Sequence, residues 1–74
     1  MKVSVNSPLP GKLLEYPIKR GDIVAKGDVV AIVESMKMHN EICSEVDGVV
    51  ITLVAFPDQY IPVNGELVRL ETNE

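Results

Sequence analysis

Apolar and polar residues alternate over short stretches of the chain, and turn-forming residues separate these stretches. Alternation with a period of two is typical of β-strands that have one buried face. Apolar residues rarely keep helical spacing over a segment that contains no Gly or Pro. The pattern predicts eight short strands and no helix, with strands over residues 2–6, 12–18, 23–24, 28–34, 39–44, 49–55, 61–62 and 66–71.

The second half of the chain repeats the first at an offset of 37 residues. In this frame Gly11 falls on Gly48, and apolar positions coincide on both sides of them. Gly27 falls on Asn64, and both residue types tolerate the left-handed conformation that many turns need. Coinciding turn residues are harder to explain by chance than coinciding apolar residues. We therefore predict a duplicated domain whose halves are related by an approximate two-fold axis.

Two four-strand halves, each with one apolar face, can bury those faces only against each other. The sequence thus predicts an all-β fold, a flattened barrel or sandwich of two four-stranded antiparallel sheets, with each half forming one layer. The 74 residues suit one small domain that spans residues 1–74. Aromatic residues make up only 4% of the chain, so Val, Ile and Leu must form most of the core.

The segment that joins the halves, residues 35–38, breaks a turn rule that the other turns obey. A two-residue hairpin needs positive φ at both central residues and normally has Asn-Gly or Asp-Gly there. Met36 and Lys37 occupy these positions, at a cost on the order of 1 kcal/mol for each residue forced left-handed. A local conflict in an otherwise consistent sequence points to function. We therefore single out Lys37, a primary amine on a flexible stem between Met36 and Met38.

Charge and composition exclude several other functions. The net charge of −4 weighs against nucleic acid and anionic membranes, and no stretch approaches the ~20 apolar residues of a membrane span. The lone Cys43 fits a reducing compartment, so we expect a cytoplasmic protein that inserts into no membrane. One His and one Cys cannot form a metal site, and we interpret His39 as an exposed strand residue and Cys43 as a packing residue. Since no catalytic constellation is present, we expect a partner enzyme to modify Lys37.

Residues 34–38 (Glu-Ser-Met-Lys-Met), followed by Asn40-Glu41-Ile42 and Asp47-Gly48, resemble the biotinyl carrier domain of biotin-dependent carboxylases, transcarboxylases and decarboxylases. The resemblance extends over essentially the whole chain. This sequence departs from the family pattern in having Ser35 where Ala is usual, Glu45 where Pro is usual, and Pro57-Asp58 where the second loop has Gly-Asp. These departures affect loop geometry more than attachment.

The resemblance implies that a biotin protein ligase attaches biotin to Lys37 through an amide. The later partners it implies are a biotin carboxylase and a carboxyltransferase or decarboxylase, between which the non-catalytic domain carries a carboxyl group. It also assigns Met36 and Met38 to recognition and use of the arm, and Glu34 and Ser35 to ligase recognition. The related lipoyl domains have Asp-Lys-Ala at the tip, so the methionines favour biotin. A lipoyl-type carrier and an unmodified interaction module remain open as alternatives.

Overall fold

The computed structural model describes residues 1–73 and contains eight strands within them. Every predicted strand is present, although the one predicted over residues 12–18 already ends at Glu15. The domain predicted for residues 1–74 includes Glu74, which lies outside the described residues. Within residues 1–73 there is no helix long and apolar enough to cross a membrane. The strands are β1 (Lys2–Asn6), β2 (Gly11–Glu15), β3 (Ile23–Val24), β4 (Val29–Ser35), β5 (Met38–Cys43), β6 (Gly48–Leu53), β7 (Tyr60–Ile61) and β8 (Glu66–Glu71).

The strands form two four-stranded sheets in which every pair is antiparallel. The terminal sheet has the order β1-β8-β6-β3, and the hairpin sheet has the order β5-β4-β2-β7. Adding four to each strand number, and counting from β1 again after β8, converts the first order into the second. The predicted two-fold relation is therefore confirmed, and it exchanges the two sheets.

Each sheet contains two strands from each half of the chain, so the prediction that each half would form one layer is wrong. The reason lies at the junction between the halves. A two-residue turn can connect only strands that are neighbours in one sheet, and it joins β4 of the first half to β5 of the second. Alternation specifies which face of a strand is buried, but it does not specify the strand's neighbours.

The core lies between the sheets and is formed mainly by branched aliphatic side chains from both halves. Its most deeply buried large members are Leu13, Val30, Val33, Val50, Leu67, Val68 and Leu70. Full burial of one such side chain stabilises the fold by about 1.5–3 kcal/mol. Cys43 does not belong to this core, contrary to the prediction, and is exposed. Its neighbours Ile42 and Ser44 are buried, and alternation along the strand therefore directs Cys43 outward.

The turns of the two halves repeat one another in detail. Gly27 has a φ of 94° and its counterpart Asn64 has a φ of 67°, so both adopt the predicted left-handed conformation. The amide of Gly27 donates to the carbonyl of Ser44 (2.8 Å), and that of Asn64 donates to the carbonyl of Ser7 (2.7 Å). These two hydrogen bonds are also related by the offset of 37 residues. The duplication thus extends to single backbone contacts.

Candidate functional site

The segment between β4 and β5 is a tight hairpin. Ser35 lies opposite Met38 in the ladder, which leaves Met36 and Lys37 as a two-residue turn. Their φ angles are 55° and 63°, as in the type I′ turn that suits the twist of a hairpin. The other non-glycine residues with positive φ within residues 1–73 are Asp and Asn, which tolerate this region better. The predicted conflict between sequence and turn geometry is therefore confirmed.

The three side chains at the tip of the hairpin extend into solvent. Met36 is 91% exposed and Met38 is 66% exposed, which is unusual for large apolar residues, and Lys37 between them is exposed as well. Among the described residues, no group forms a hydrogen bond or ion pair with the amine of Lys37. A second protein can therefore reach this amine without displacing any contact within the domain.

Glu34 lies one residue pair below the tip, on the outer face of the hairpin sheet. It is flanked by Lys12 on β2 and by His39 on β5, which is exposed as predicted. The Lys12 ammonium lies 3.9 Å from the carboxylate of Asp58. Within residues 1–73 the carboxylate of Glu34 makes no hydrogen bond or ion pair of its own. This carboxylate is consequently available to a partner that approaches the tip.

Asn40 and Gly11 stabilise the hairpin close to its turn, and neither contact was predicted from the sequence. The side-chain amide nitrogen of Asn40 donates to the carbonyls of Met38 (3.1 Å) and Val33 (3.3 Å). Gly11 allows β2 to approach β4 closely, because a Cβ at this position would lie 2.8 Å from Val33 Cγ1 and collide with the carbonyl of Glu34. The repeat contained a signal for Asn40, since it places a polar residue where the first half has the apolar Val3.

Two grooves of the domain lie away from the hairpin tip. One groove runs between the edge strands β1 and β5, and another lies beside Met1 and Asn73. Neither groove is lined by residues 34–38. The amine at the tip is therefore presented on a convex, exposed part of the domain and not in a pocket. Fold and site together are those of a carrier domain, a small β-sandwich with a lysine on an exposed hairpin.

A protein-family model described as "Biotin-requiring enzyme" (Biotin_lipoyl) matches residues 3–70. Because this match covers nearly all of the chain, the chain belongs to that family. At the level of the family, the biotin carboxyl carrier domain predicted from the sequence is confirmed.

Three relatives show the range of proteins that contain a similar domain. The chain is 55% identical over 40 residues to the glutaconyl-CoA decarboxylase subunit gamma of Acidaminococcus fermentans, covering 54% of this chain and 28% of that protein. It is 44% identical over 76 residues to the biotin carboxyl carrier protein of acetyl-CoA carboxylase 1 of Arabidopsis thaliana, covering 93% and 25%. It is 42% identical over 60 residues to the lipoamide acyltransferase component of a branched-chain alpha-keto acid dehydrogenase complex of Pseudomonas putida, covering 81% and 14%. The chain thus spans less than a third of each relative.

A solved structure supports the fold independently of sequence identity. The urea carboxylase of Kluyveromyces lactis superimposes with a TM-score of 0.91 at 20% identity, over 96% of this chain and 6% of that one. At this level of identity the likeness concerns the fold alone. It confirms the fold of two four-stranded antiparallel sheets.

Proposed function

We propose that Lys37 is the biotin attachment residue, and that the domain carries a carboxyl group between two active sites of a carboxylase or decarboxylase complex. The observation that supports this most strongly is the exposed, unpaired amine of Lys37 between two exposed methionines on a left-handed turn. In the attachment step, Nζ of Lys37 loses a proton and forms an amide bond with the carboxyl carbon of an activated biotin, whose leaving group departs.

A separate biotin protein ligase performs this step, because the domain supplies no base of its own. No side chain within residues 1–73 hydrogen-bonds to the amine, so none is placed to take its proton as Nζ attacks. Once bound, biotin supplies the carboxyl-carrying chemistry. The domain keeps the arm at a high effective concentration near both sites, in place of free diffusion.

The residues around Lys37 have distinct roles in this proposal. The exposed thioethers of Met36 and Met38 provide apolar contact area for the ligase and for the carboxylase sites. The unpaired carboxylate of Glu34 provides a polar contact for the ligase beside the tip. Ser35, small and half-buried opposite Met38, leaves space for the ligase to approach the turn.

The partners of the domain are a biotin carboxylase and a carboxyltransferase or decarboxylase, with which it assembles in the cytoplasm. The domain itself performs no catalysis in this scheme. Biotin is favoured over a lipoyl group because methionines, and not Asp and Ala, flank the lysine.

The test is the intact mass of the domain after expression together with a biotin protein ligase. Wild-type protein should gain one biotinyl group, and Lys37→Ala should gain none. Lys26→Ala, which removes another exposed turn lysine, is the matched control and should be labelled fully. Met38→Leu keeps the size and apolar character of the side chain and should also be labelled.

Two results would contradict the proposal. A lipoyl adduct on Lys37, after expression together with a biotin ligase and a lipoyl ligase, would make the domain a lipoyl carrier. A folded wild-type domain that takes up neither group would make it an unmodified interaction module. Circular dichroism establishes that the wild-type domain and each variant are folded.

A further inference from the structure

Asn40 is a polar residue on β5, at a position where the first half of the chain has an apolar residue. Its ladder partner Val33 is fully buried, so Asn40 belongs to the inward-facing positions of the strand, together with Ile42. The equivalent residue of the first half is Val3. A half-buried amide at such a position costs desolvation free energy unless it makes hydrogen bonds.

The Asn40 side chain ties the two strands of the hairpin together directly below the turn. Its amide nitrogen donates to the carbonyl of Met38, the residue that follows Lys37, at 3.1 Å. The same nitrogen donates to the carbonyl of Val33 on β4 at 3.3 Å. An Asn side chain has two N–H groups on one nitrogen, so each carbonyl can receive its own hydrogen.

The turn next to Asn40 lacks residues that favour a left-handed backbone by themselves. At the other non-glycine positions with positive φ within residues 1–73, Asp58 and Asn64 themselves tolerate a left-handed backbone. Met36 and Lys37 have no such preference, and their side chains make no hydrogen bond among the described residues that would compensate. The restraint on the turn must therefore come from residues of β4 and β5 outside the turn.

We propose that Asn40 is a positioning residue that holds the Met36-Lys37 turn in its left-handed conformation, so that a ligase meets the amine of Lys37 in one fixed orientation. This inference rests on the proposed function of Lys37. Asn40 does not touch the amine and acts through the carbonyl of Met38, in the peptide that joins Met38 to His39. Ordering a reacting group in this way raises the rate of a transfer step.

The first experiment replaces Asn40 by Val, the residue that the repeat has at the equivalent position, and by Asp, which keeps the shape but lacks both donors. Purified apo-domains are assayed for kcat/KM with a biotin ligase, for thermal unfolding, and for the NMR three-bond HN–Hα couplings of Met36 and Lys37. Both variants should lose about tenfold or more in kcat/KM and show altered couplings while remaining folded. Asn6→Val, at an exposed position at the end of β1 in the terminal sheet, is the control and should change neither.

A second experiment separates positioning from a general structural role. Glycine adopts positive φ without a steric penalty, so Met36→Gly should make the turn less dependent on Asn40. Adding Asn40→Val to Met36→Gly should therefore change the Lys37 coupling and kcat/KM much less than Asn40→Val changes them in the wild type.

Equal losses in the two backgrounds would overturn the inference, as would wild-type couplings and kcat/KM in folded Asn40→Val. Should the wild-type domain take up no biotin, the proposed function of Lys37 fails. The NMR couplings would still show whether Asn40 holds the turn, so the two failures are distinguishable.

Discussion

At the scale of single residues, Tyr16 shows how one side chain can depart from the repeat and stabilise it. Its hydroxyl donates to the carbonyl of Leu67 (2.7 Å) and accepts from the amide of Ala55 (3.0 Å). The repeat has Leu53 at the equivalent position, so these contacts occur in one half only. Burial raises the pKa of the Tyr16 phenol above its ordinary value, and the hydrogen bond from Ala55 offsets part of that effect.

The raised pKa of Tyr16 predicts a loss of stability in alkali. The unfolded phenol titrates near its ordinary pKa of 10.0. Because the folded pKa is higher, the stability linked to this proton is complete below pH 10 and is lost as the pH rises through the folded pKa. Tyr16→Phe should be less stable at neutral pH by about 1–3 kcal/mol, and its stability should fall less steeply above pH 10.

Thermal unfolding between pH 7 and pH 11 provides the measurement for Tyr16. Tyr60→Phe is the control, because Tyr60 is 66% exposed and its hydroxyl makes no hydrogen bond within residues 1–73. Parallel curves for the wild type and Tyr16→Phe across this range would show that the phenol proton has no such linkage.

At the scale of elements, close contact between β2 and β4 supports the hairpin from below. Gly11 permits this contact, and its repeat counterpart Gly48 permits the equivalent contact with β8. A Cβ on Gly48 would lie 2.8 Å from the carbonyl oxygen of Glu71. The two-fold relation thus provides a matched pair of sites, one beneath the hairpin and one in the terminal sheet.

Gly11→Ala and Gly48→Ala should each destabilise the domain, by roughly 1–3 kcal/mol, because a methyl group must be fitted against backbone atoms. Only Gly11→Ala displaces the carbonyl of Glu34 beside the tip, so only this variant should also slow biotin transfer to the folded domain. Urea unfolding and ligase kinetics, at a temperature where both variants are folded, measure the two effects. Equal kinetics for the two variants would show that the contact between β2 and β4 does not influence the hairpin tip.

At the scale of the whole molecule, the fold depends on contacts between distant parts of the chain. β1 pairs with β8, so that Val3 lies opposite Leu70, and β7 pairs with β2. Such pairings form only after long loops have closed, at an entropic cost that local turns do not carry. The geometry of the tip is consequently a property of the folded domain.

A peptide spanning residues 30–44 should therefore be a poor ligase substrate. An isolated two-stranded hairpin is marginally stable in water, and this one has two non-glycine residues in the left-handed region. We expect kcat/KM for the peptide to be at least roughly tenfold below that of the domain. Labelling of the peptide as fast as the domain would show that the ligase reads sequence alone.

The fold and the candidate site were predictable where the argument was local. Alternation located all eight strands to within a few residues, and the poor turn chemistry of Met36-Lys37 singled out the lysine. The exposure of Cys43 was mispredicted because its role was judged from the absence of an adjacent His or Lys, and not from the alternation that places it between the buried Ile42 and Ser44. The role of Asn40 was missed because one of its two carbonyl partners belongs to the neighbouring strand.

The sequence by itself determined the strands, the duplication and the exposed lysine, since periodicity, turn propensity and repetition all depend on residues close together or at one fixed offset. Only the tertiary structure decided which strands share a sheet, how closely β2 approaches β4, and which carbonyls Asn40 binds. These features depend on pairing between segments far apart in the chain. An alternating pattern is compatible with many such pairings, and the packing of both sheets around one core selects among them.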